Sequence, residues 1–130
     1  MTVRFLVPEY TEQFRSDINS DPEFKLAAQF MKKDVMLGVG DSGCIVRVNE
    51  GVISEIVPVA VSADTCDFSI KGAVESWEKF LQTLPPPHYS GLFSAMISCN
   101  LLIEGDMEAA FAYFWAMTRL LDILRELQNQ

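Results

Sequence analysis

Residues 102–124, LIEGDMEAAFAYFWAMTRLLDIL, join a short apolar segment to a long helical one and impose a packing requirement on the whole chain. No charged residue lies between Glu108 and Arg119, while aromatic or methionine side chains at positions 111, 113, 114, 115 and 117 point in nearly every direction around a helix axis. A helix that is apolar on every side must be buried on every side or must surround an apolar molecule. The rest of the sequence therefore has to provide a cover for this helix.

Length and composition limit the classes of protein to consider. The chain has 130 residues, of which 49% are hydrophobic, and its mean hydropathy is +0.16. This length predicts one domain spanning residues 1–130, and the apolar composition predicts a cavity or a subunit interface in addition to a core. Because no run of about eighteen apolar residues is present, we expect no stable membrane insertion, and the N-terminus lacks the apolar run of a secretory signal.

Charge and cysteine usage exclude further classes. The formal net charge is −8, and no segment clusters lysine and arginine as binding to phosphate backbones requires, so we expect no nucleic-acid partner. Cys44, Cys66 and Cys99 have neither a CxxC nor a Cys/His spacing. This pattern favours free thiols in a reducing cytoplasm over a disulfide framework or a zinc site. The sequence predicts no metal and no cofactor.

Helical spacing dominates the first thirty residues. Tyr10, Phe14 and Ile18 recur every four residues, which predicts one short helix. Asp21 followed by Pro22 predicts the start of a second helix, because aspartate caps a helix and proline suits its first position. The residues expected to face inward from the second helix are Phe24, Ala27, Ala28 and Met31.

A period of two follows and predicts strands at 35–40, 44–49 and 52–59. We expect these strands to form an antiparallel meander, with Gly43 and Gly51 supplying positive φ angles at the two turns. Pro58 cannot donate a hydrogen bond to a ladder, so it should lie at a strand end or on an edge strand.

The second half of the sequence predicts two more strands and three helices. Phe68 and Ile70 share one face of the fourth strand, and Asp106 is placed to cap the last helix. The predicted segments are a strand at 66–72, an amphipathic helix at 73–84, a short helix at 92–98, a strand at 101–103 and a long helix at 106–127.

This order of elements resembles the sterol carrier protein type 2 family of lipid-binding domains over about the whole chain. The resemblance is most specific in INSDPEFKLAAQF (18–30), ADTCDFSIKGAVESWEKFL (63–81) and LLIEGDMEAAFAYF (101–114). It implies an α+β fold in which helices cover one face of a five-stranded, mostly antiparallel sheet, with a long C-terminal helix. Family members usually have a glycine and a basic residue just before the last strand, where this chain has Cys99 and Asn100, so a phosphate-bearing headgroup is less well supported.

The same resemblance implies a function without catalysis. An apolar tunnel between the sheet and the C-terminal helices would hold a fatty acyl chain, an acyl-CoA or a sterol-like ligand, and the loop PPPHYSG (85–91), hinged at Gly91, would form its lid. The chain ends in QNQ rather than in the peroxisomal tripeptide of eukaryotic relatives, which favours the cytoplasm. The candidate ligand-binding residues are Trp77, Phe80, Phe93, Met96, Ile97, Phe111, Phe114, Trp115, Met117 and Leu121.

Each candidate feature also has an ordinary structural interpretation. Aromatic and methionine residues at helical spacing are as readily core as ligand contacts. His88, the one histidine, could be a general base, but no aspartate or serine is spaced to assist it, which favours a solvated loop residue. The glycines of GVGDSGC (38–44) favour turns over a phosphate loop. Two charged sets are expected to be solvated, namely the strand-end carboxylates Asp34, Asp41, Asp64 and Asp67, and the helix face Arg119, Asp122, Arg125 and Glu126.

Two rival functions stay open. An enzyme of the small steroid-isomerase type has a similar length and apolar content, but it would need acidic or tyrosine groups in its pocket, and that fold closes with strands rather than a helix. A homodimerisation module without ligand would instead cover the last helix with its twin. The apolar stripe at 110, 114, 117, 121 and 124 would suit such an interface.

Overall fold

The computed structural model describes residues 3–61, 66–98 and 100–130. Two short 3-10 helices, Arg4–Leu6 and Pro8–Tyr10, precede the regular elements. The elements that follow in chain order are α1 (Thr11–Asn19), α2 (Pro22–Ala27), β1 (Lys32–Val39), β2 (Ser42–Asn49), β3 (Val52–Ala60), β4 (Phe68–Gly72), α3 (Val74–Phe80), α4 (Leu92–Ile97), β5 (Leu102–Gly105), α5 (Met107–Ala112) and α6 (Phe114–Gln128).

The five strands form one sheet in the order β3-β2-β1-β4-β5. The pairs β1–β2, β2–β3 and β4–β5 are antiparallel, whereas β4 runs parallel to β1. The predicted meander and the mostly antiparallel sheet are thus confirmed. Pro58 lies in β3, which is an edge strand, as predicted for a residue that cannot donate to a ladder.

Both hairpin turns use glycine, as predicted, but at one turn a different glycine has the positive φ angle. At the β2–β3 turn Glu50 and Gly51 have φ angles of 50° and 82°, the paired positive values that suit a right-handed hairpin twist. At the β1–β2 turn the positive φ belongs to Gly40, at 60°, and not to Gly43. Gly43 lies within β2, where a Cβ atom would come within 2.7 Å of the Leu37 carbonyl oxygen. Close packing, rather than turn geometry, requires glycine there.

Both predicted aspartate caps are confirmed. Asp21 Oδ2 accepts a hydrogen bond from Phe24 N at 2.8 Å, and Pro22 occupies the first turn of α2. Asp106 Oδ1 accepts from Ala109 N at 3.1 Å at the start of α5. Each carboxylate satisfies a backbone donor that the helix itself cannot pair.

One face of the sheet packs against the helices and forms the core. Phe14, Ile18, Phe24, Ala28 and Met31 are fully buried in it, as predicted, and Ala27 is partly buried against it. The strand residues that contribute to this core are Val35, Leu37, Val39, Cys44, Val46, Val48, Ile53, Phe68 and Ile70. The predicted α+β architecture, with helices on one face of the sheet, is therefore confirmed.

The C-terminal helix is interrupted, contrary to the prediction of one helix at 106–127. Tyr113 separates α5 from α6 with φ −110° and ψ 25°, outside the helical region. Its hydroxyl donates to the Phe30 carbonyl oxygen at 3.2 Å, which ties the break to the residues that follow α2. The contact joins residues that are 83 positions apart, so no local spacing pattern could reveal it.

The helix α3 ends earlier than predicted. It stops at Phe80 rather than near residue 84, and Leu84 is 87% exposed. Arg125 Nε donates to the Phe80 carbonyl oxygen at 2.9 Å, and Asn129 Nδ2 donates to the Leu81 carbonyl oxygen at 2.7 Å. Arg125 and Asn129 thus provide hydrogen-bond donors for carbonyl groups at the C-terminal end of α3, so the helix can end at Phe80.

Candidate functional site

An apolar cleft is lined by residues of the helices α4, α5 and α6. Its volume is about 500 Å³, within the range of small-molecule sites. The described residues that line it are Gly91, Leu92, Phe93, Phe111, Phe114, Trp115 and Thr118. They belong to α4, α5, α6 and the residue that precedes α4, so this cleft lies between helices and not between the sheet and the helices, where the tunnel was expected.

Four aromatic rings, which we call the aromatic wall, dominate the cleft: Phe93, Phe111, Phe114 and Trp115. Phe114 is central, since its ring stacks on Phe111 at 6.3 Å with an interplanar angle of 20°. It also meets Phe93 and Trp115 edge to face, each with centroids 6.4 Å apart. These contacts fix the rings relative to one another and pre-form an apolar surface.

The aromatic wall is unusually exposed. Trp115 is 77% exposed, Phe93 59% and Phe111 54%, and Phe114 is partly buried. Single exposed apolar residues are common on protein surfaces, but a contiguous exposed apolar patch usually marks a binding site. The wall is therefore the feature of the described chain with the strongest claim to a ligand or partner.

Local chemistry keeps the cleft apolar. The hydroxyl of Thr118 donates to the Phe114 carbonyl oxygen at 3.0 Å, so this hydroxyl is already engaged with the helix backbone. Thr118 lies one turn after Phe114 on the same side of α6, and this spacing could have identified it as a lining residue. Leu92 and Thr118 were not predicted as ligand contacts, whereas Gly91 was expected only as a hinge.

The predicted ligand-binding residues separate into three groups. Phe93, Phe111, Phe114 and Trp115 come together in the cleft. Met96 is partly buried and Ile97 is 64% exposed on α4, and neither is among the described lining residues. The others lie in the core with at most 1% of their surface exposed, namely Trp77, Phe80, Met117 and Leu121.

The core position of Trp77 has a specific cause. Its indole Nε1–H donates to the Gly38 carbonyl oxygen of β1 at 2.7 Å, and its ring meets Phe5 and Phe80 edge to face. A buried indole needs such a partner for its N–H group. The two tryptophans, both predicted to contact ligand, therefore differ: Trp115 lines the cleft, whereas Trp77 is buried in the core on the inner side of α3.

The stripe proposed for a dimer interface lies mostly in the core instead. Ala110, Met117, Leu121 and Leu124 are each at most 1% exposed, so this stripe is already covered within the chain. These four residues are therefore not available for the isologous interface that the rival function would need, because other parts of the chain pack on that side of α6.

The charged face of α6 is not simply solvated, as had been expected. Arg119 makes two hydrogen bonds to the carboxylate of Asp21, at 2.9 and 3.0 Å. The side chain of Arg125 is 16% exposed, and it donates to the carbonyl oxygens of Phe80 and Tyr89. Both arginines join α6 to other elements, and such partners are invisible in the helix sequence alone.

The strand-end carboxylates also have structural partners. Asp34 Oδ2 accepts from Arg47 Nη1 at 2.8 Å, and Asp67 Oδ2 accepts from the Asp34 backbone N–H at 2.7 Å. The expectation of solvated turn carboxylates was therefore wrong for Asp34 and Asp67, while Asp64 lies outside the described residues. Asp41 is exposed, as expected.

Groups that could support other chemistry are few in the described chain. His88 is exposed in the loop before α4. Within residues 3–61, 66–98 and 100–130, no group of three or more histidine, cysteine, aspartate or glutamate side chains could hold a metal ion. Cys44 and Cys66 are free thiols, and Cys99 lies outside the described residues. Of the helices that the structure describes, none is long and apolar enough to cross a membrane.

Comparisons with known proteins bear on the fold. No protein-family model matches the sequence, and no curated protein matches it. The structure is similar to a crystal structure of sterol carrier protein 2, with a TM-score of 0.78 and 17% identity over 93% of this chain and 97% of that chain.

Two further solved structures are similar over most of the chain. A conserved hypothetical protein from Thermus thermophilus, described as a candidate sterol carrier protein, has a TM-score of 0.75 at 17% identity, covering 96% of this chain and 90% of that chain. The ubiquinone synthesis protein UbiJ-SCP2 has a TM-score of 0.57 at 16% identity and 95% coverage of both chains. The chain therefore has the fold of sterol carrier protein 2, as its sequence resemblance predicted.

Proposed function

We propose that this protein binds an apolar lipid in the cleft formed by α4, α5 and α6. The observation that carries the proposal is the aromatic wall, an exposed and mutually packed set of rings around a cavity of about 500 Å³. Leaving such a surface in water is unfavourable, and a lipid tail would remove it from water. The similarity to structures named as sterol carrier proteins supports the same class of ligand.

The mechanism would be partitioning, with no bond made or broken. Each methylene group that leaves water for the cleft contributes about 0.8 kcal/mol. Ordering the tail and the side chains around it offsets part of this gain. A fatty acyl chain, an acyl-CoA or a sterol-like molecule could each supply enough apolar surface, and the protein would act as a carrier in the cytoplasm rather than as an enzyme.

The loop before α4 is our candidate for a lid. Gly91 lines the cleft and has no heavy atom within 4 Å of the place where a Cβ would be, so this end of the loop borders open space. The prolines at 85–87 restrict the other end of the loop. A lid that is stiff at one end and free at the cleft would open by a hinge motion.

Tryptophan fluorescence tests the proposal directly. Trp115 lines the cleft and is largely exposed, whereas Trp77 is fully buried. Dodecanol should therefore bind saturably at about one molecule per chain and change the tryptophan emission through Trp115. In Trp115→Phe, binding measured by displacement of a fluorescent lipid should persist while the emission change is lost.

Native mass spectrometry of protein purified from cells provides the complementary test. A co-purifying lipid of defined mass would support the carrier function. A ligand-free homodimer, together with no saturable binding of dodecanol, would contradict it and favour an interaction module. The exposed aromatic wall would then be the surface that the second copy covers.

A further inference from the structure

The lining of the cleft offers almost nothing that could neutralise a charged headgroup. Apart from the engaged hydroxyl of Thr118, its one polar side-chain group among the described lining residues is the indole N–H of Trp115. This neutral donor suits a hydroxyl or carbonyl oxygen, but it cannot balance the charge of a carboxylate or a phosphate. An ion placed beside the tail would lose hydration without gaining an ion pair.

The sequence segment that runs from the end of α3 through α4 and α5 to Thr118 contains no lysine or arginine. Between Leu84 and Thr118, which includes α4 and α5, the acidic residues are Glu104, Asp106 and Glu108, and the one residue that can become cationic is His88. His88 is exposed, lies three residues before Gly91 and is not among the described lining residues.

The cations next to this segment in sequence or in contact with it already have partners, among them Lys79, whose Nζ lies 5.6 Å from the centroid of the Tyr89 ring. Arg119 adjoins Thr118 but holds the Asp21 carboxylate with two hydrogen bonds. Arg125 binds the carbonyl oxygens of Phe80 and Tyr89, and Lys33 Nζ lies 3.8 Å from Asp106 Oδ2. Turning any of them toward a headgroup would break an existing interaction.

Carboxylates instead flank the aromatic wall along both helices. Glu108 lies one turn before Phe111 on α5, and Asp122 lies one turn after Thr118 on α6. Asp122 is 3.6 Å from Arg125 Nη1, which offsets part of its charge. The net charge of −8 adds a repulsive field for anions that reaches beyond these two residues.

We infer that the cleft selects an uncharged lipid and disfavours fatty acids and acyl-CoA, whose charged groups adjoin or extend from the tail. This inference rests on the proposed function and narrows its ligand class. A long-chain alcohol, a sterol or another lipid with one hydroxyl or carbonyl oxygen fits the cleft. The headgroup, and not only the tail, would then determine what the protein carries.

Three ligands with the same tail test the inference: dodecanol, dodecanoic acid and dodecanoyl-CoA. At neutral pH and low salt, dodecanol should bind at least about tenfold more tightly than the acid, a difference of about 1.4 kcal/mol, and the CoA thioester should bind no better than the acid. Raising the ionic strength should narrow the difference between alcohol and acid, because salt screens the repulsion between exposed charges.

Charge variants separate electrostatics from shape. Thr118→Lys adds a cation to the cleft wall, and Thr118→Met is its uncharged control of similar length. The lysine variant should bind dodecanoic acid more tightly relative to dodecanol, and the methionine variant should not. If Thr118→Lys does not fold, judged by circular dichroism, the exposed pair Glu108→Lys and Glu108→Gln provides the same comparison.

The outcomes distinguish the inference from the proposed function. Equal or tighter binding of dodecanoic acid by the wild-type protein would overturn the selectivity and leave lipid binding intact. Binding of none of the three ligands would contradict the proposed function itself. Tighter binding of the alcohol that does not respond to salt or to the lysine variants would overturn the electrostatic explanation.

Discussion

Phe114 and Phe80 are both helical phenylalanines, but they have different surroundings. Phe114 is partly buried and its ring faces the cleft. Phe80 is 1% exposed, its ring meets Trp77 edge to face at 6.1 Å, and the Arg125 guanidinium lies 4.8 Å from its centroid. Both were predicted to contact ligand, so comparing variants of the two residues tests whether the ligand binds in the cleft or in the core.

We predict opposite phenotypes for the two alanine variants. Phe80→Ala should lower the free energy of unfolding by about 3 to 5 kcal/mol, because it leaves a cavity in the core. Phe114→Ala should cost clearly less, because its ring already faces open space, yet it should weaken dodecanol binding. Urea unfolding and ligand titration measure both effects. Equal destabilisation by the two variants, with unchanged binding in Phe114→Ala, would place Phe114 in the core.

The cysteines allow a second prediction at the residue scale. Cys44 is 3% exposed on the core face of β2, and burial raises the pKa of its thiol to about 12. Burial also raises the pKa of the partly exposed Cys66. Because the thiolate is the reactive form, a maleimide at pH 8 should label Cys44 of the native protein far more slowly than Cys66.

Mass spectrometry after timed labelling checks this order. In denaturant, the sequence predicts that Cys44, Cys66 and Cys99 are all free and all react. A disulfide or a bound metal found in place of these thiols would remove the main support for a cytoplasmic location. Fast native labelling of Cys44 would show that β2 opens to solvent.

At the scale of elements, one carboxylate joins α2 to α6. Asp21 caps α2 through Phe24 N and also accepts two hydrogen bonds from Arg119 of α6. The hydrogen bonds from Arg119, followed by the one from the Phe24 backbone, outweigh burial and hold the pKa of Asp21 below its ordinary value. The ionised form therefore stabilises the folded state.

This linkage has a defined pH dependence. Because the folded-state pKa is the lower one, the stabilisation is present above the unfolded-state pKa of about 3.9 and is lost as the pH falls through the folded-state value. Asp21→Asn, which keeps a good helix cap, should lower the free energy of unfolding at pH 7 by about 1 kcal/mol. The difference from wild type should shrink below about pH 4, as urea unfolding across pH can measure.

Glu23→Gln is the matched control for Asp21→Asn. Its carboxylate lies 3.5 Å from the same arginine, but the side chain is 76% exposed, whereas that of Asp21 is 12% exposed. We expect a smaller effect at pH 7, because solvent screens exposed ion pairs. A pH-independent loss of stability in Asp21→Asn would mean that packing or capping, rather than charge, connects α2 to α6.

At the scale of the whole molecule, the two sides of the C-terminal helix have different surroundings. Ala116, Met117, Leu120 and Leu121 of α6 are buried with the core that the sheet and the other helices form. The opposite side, at Trp115, is open to the cleft. An all-round apolar helix is thus covered on one side by the protein itself, and on the other we propose that a lipid covers it.

The sequence by itself determined what depends on near neighbours along the chain. The meander, the caps at Asp21 and Asp106, the edge position of Pro58 and the turn at Gly51 all follow from spacings of a few residues. The resemblance to sterol carrier proteins then predicted how these elements combine, namely as a five-stranded sheet with helices on one face. Hydrophobic period and backbone stereochemistry are local properties, so they can be read without a structure.

Only the tertiary structure decided which apolar side chains face the cleft. Trp77 and Trp115 both lie on helices. Trp77 is buried in the core and donates a hydrogen bond to the Gly38 carbonyl oxygen, whereas Trp115 is 77% exposed. The ion pair between Arg119 and Asp21 joins residues 98 positions apart, and Tyr113, at the helix break, donates a hydrogen bond to Phe30, 83 positions away. Periodicity shows that a helix has an apolar side, but elements distant in sequence determine which part of that side is covered, because burial depends on the packing of the whole chain.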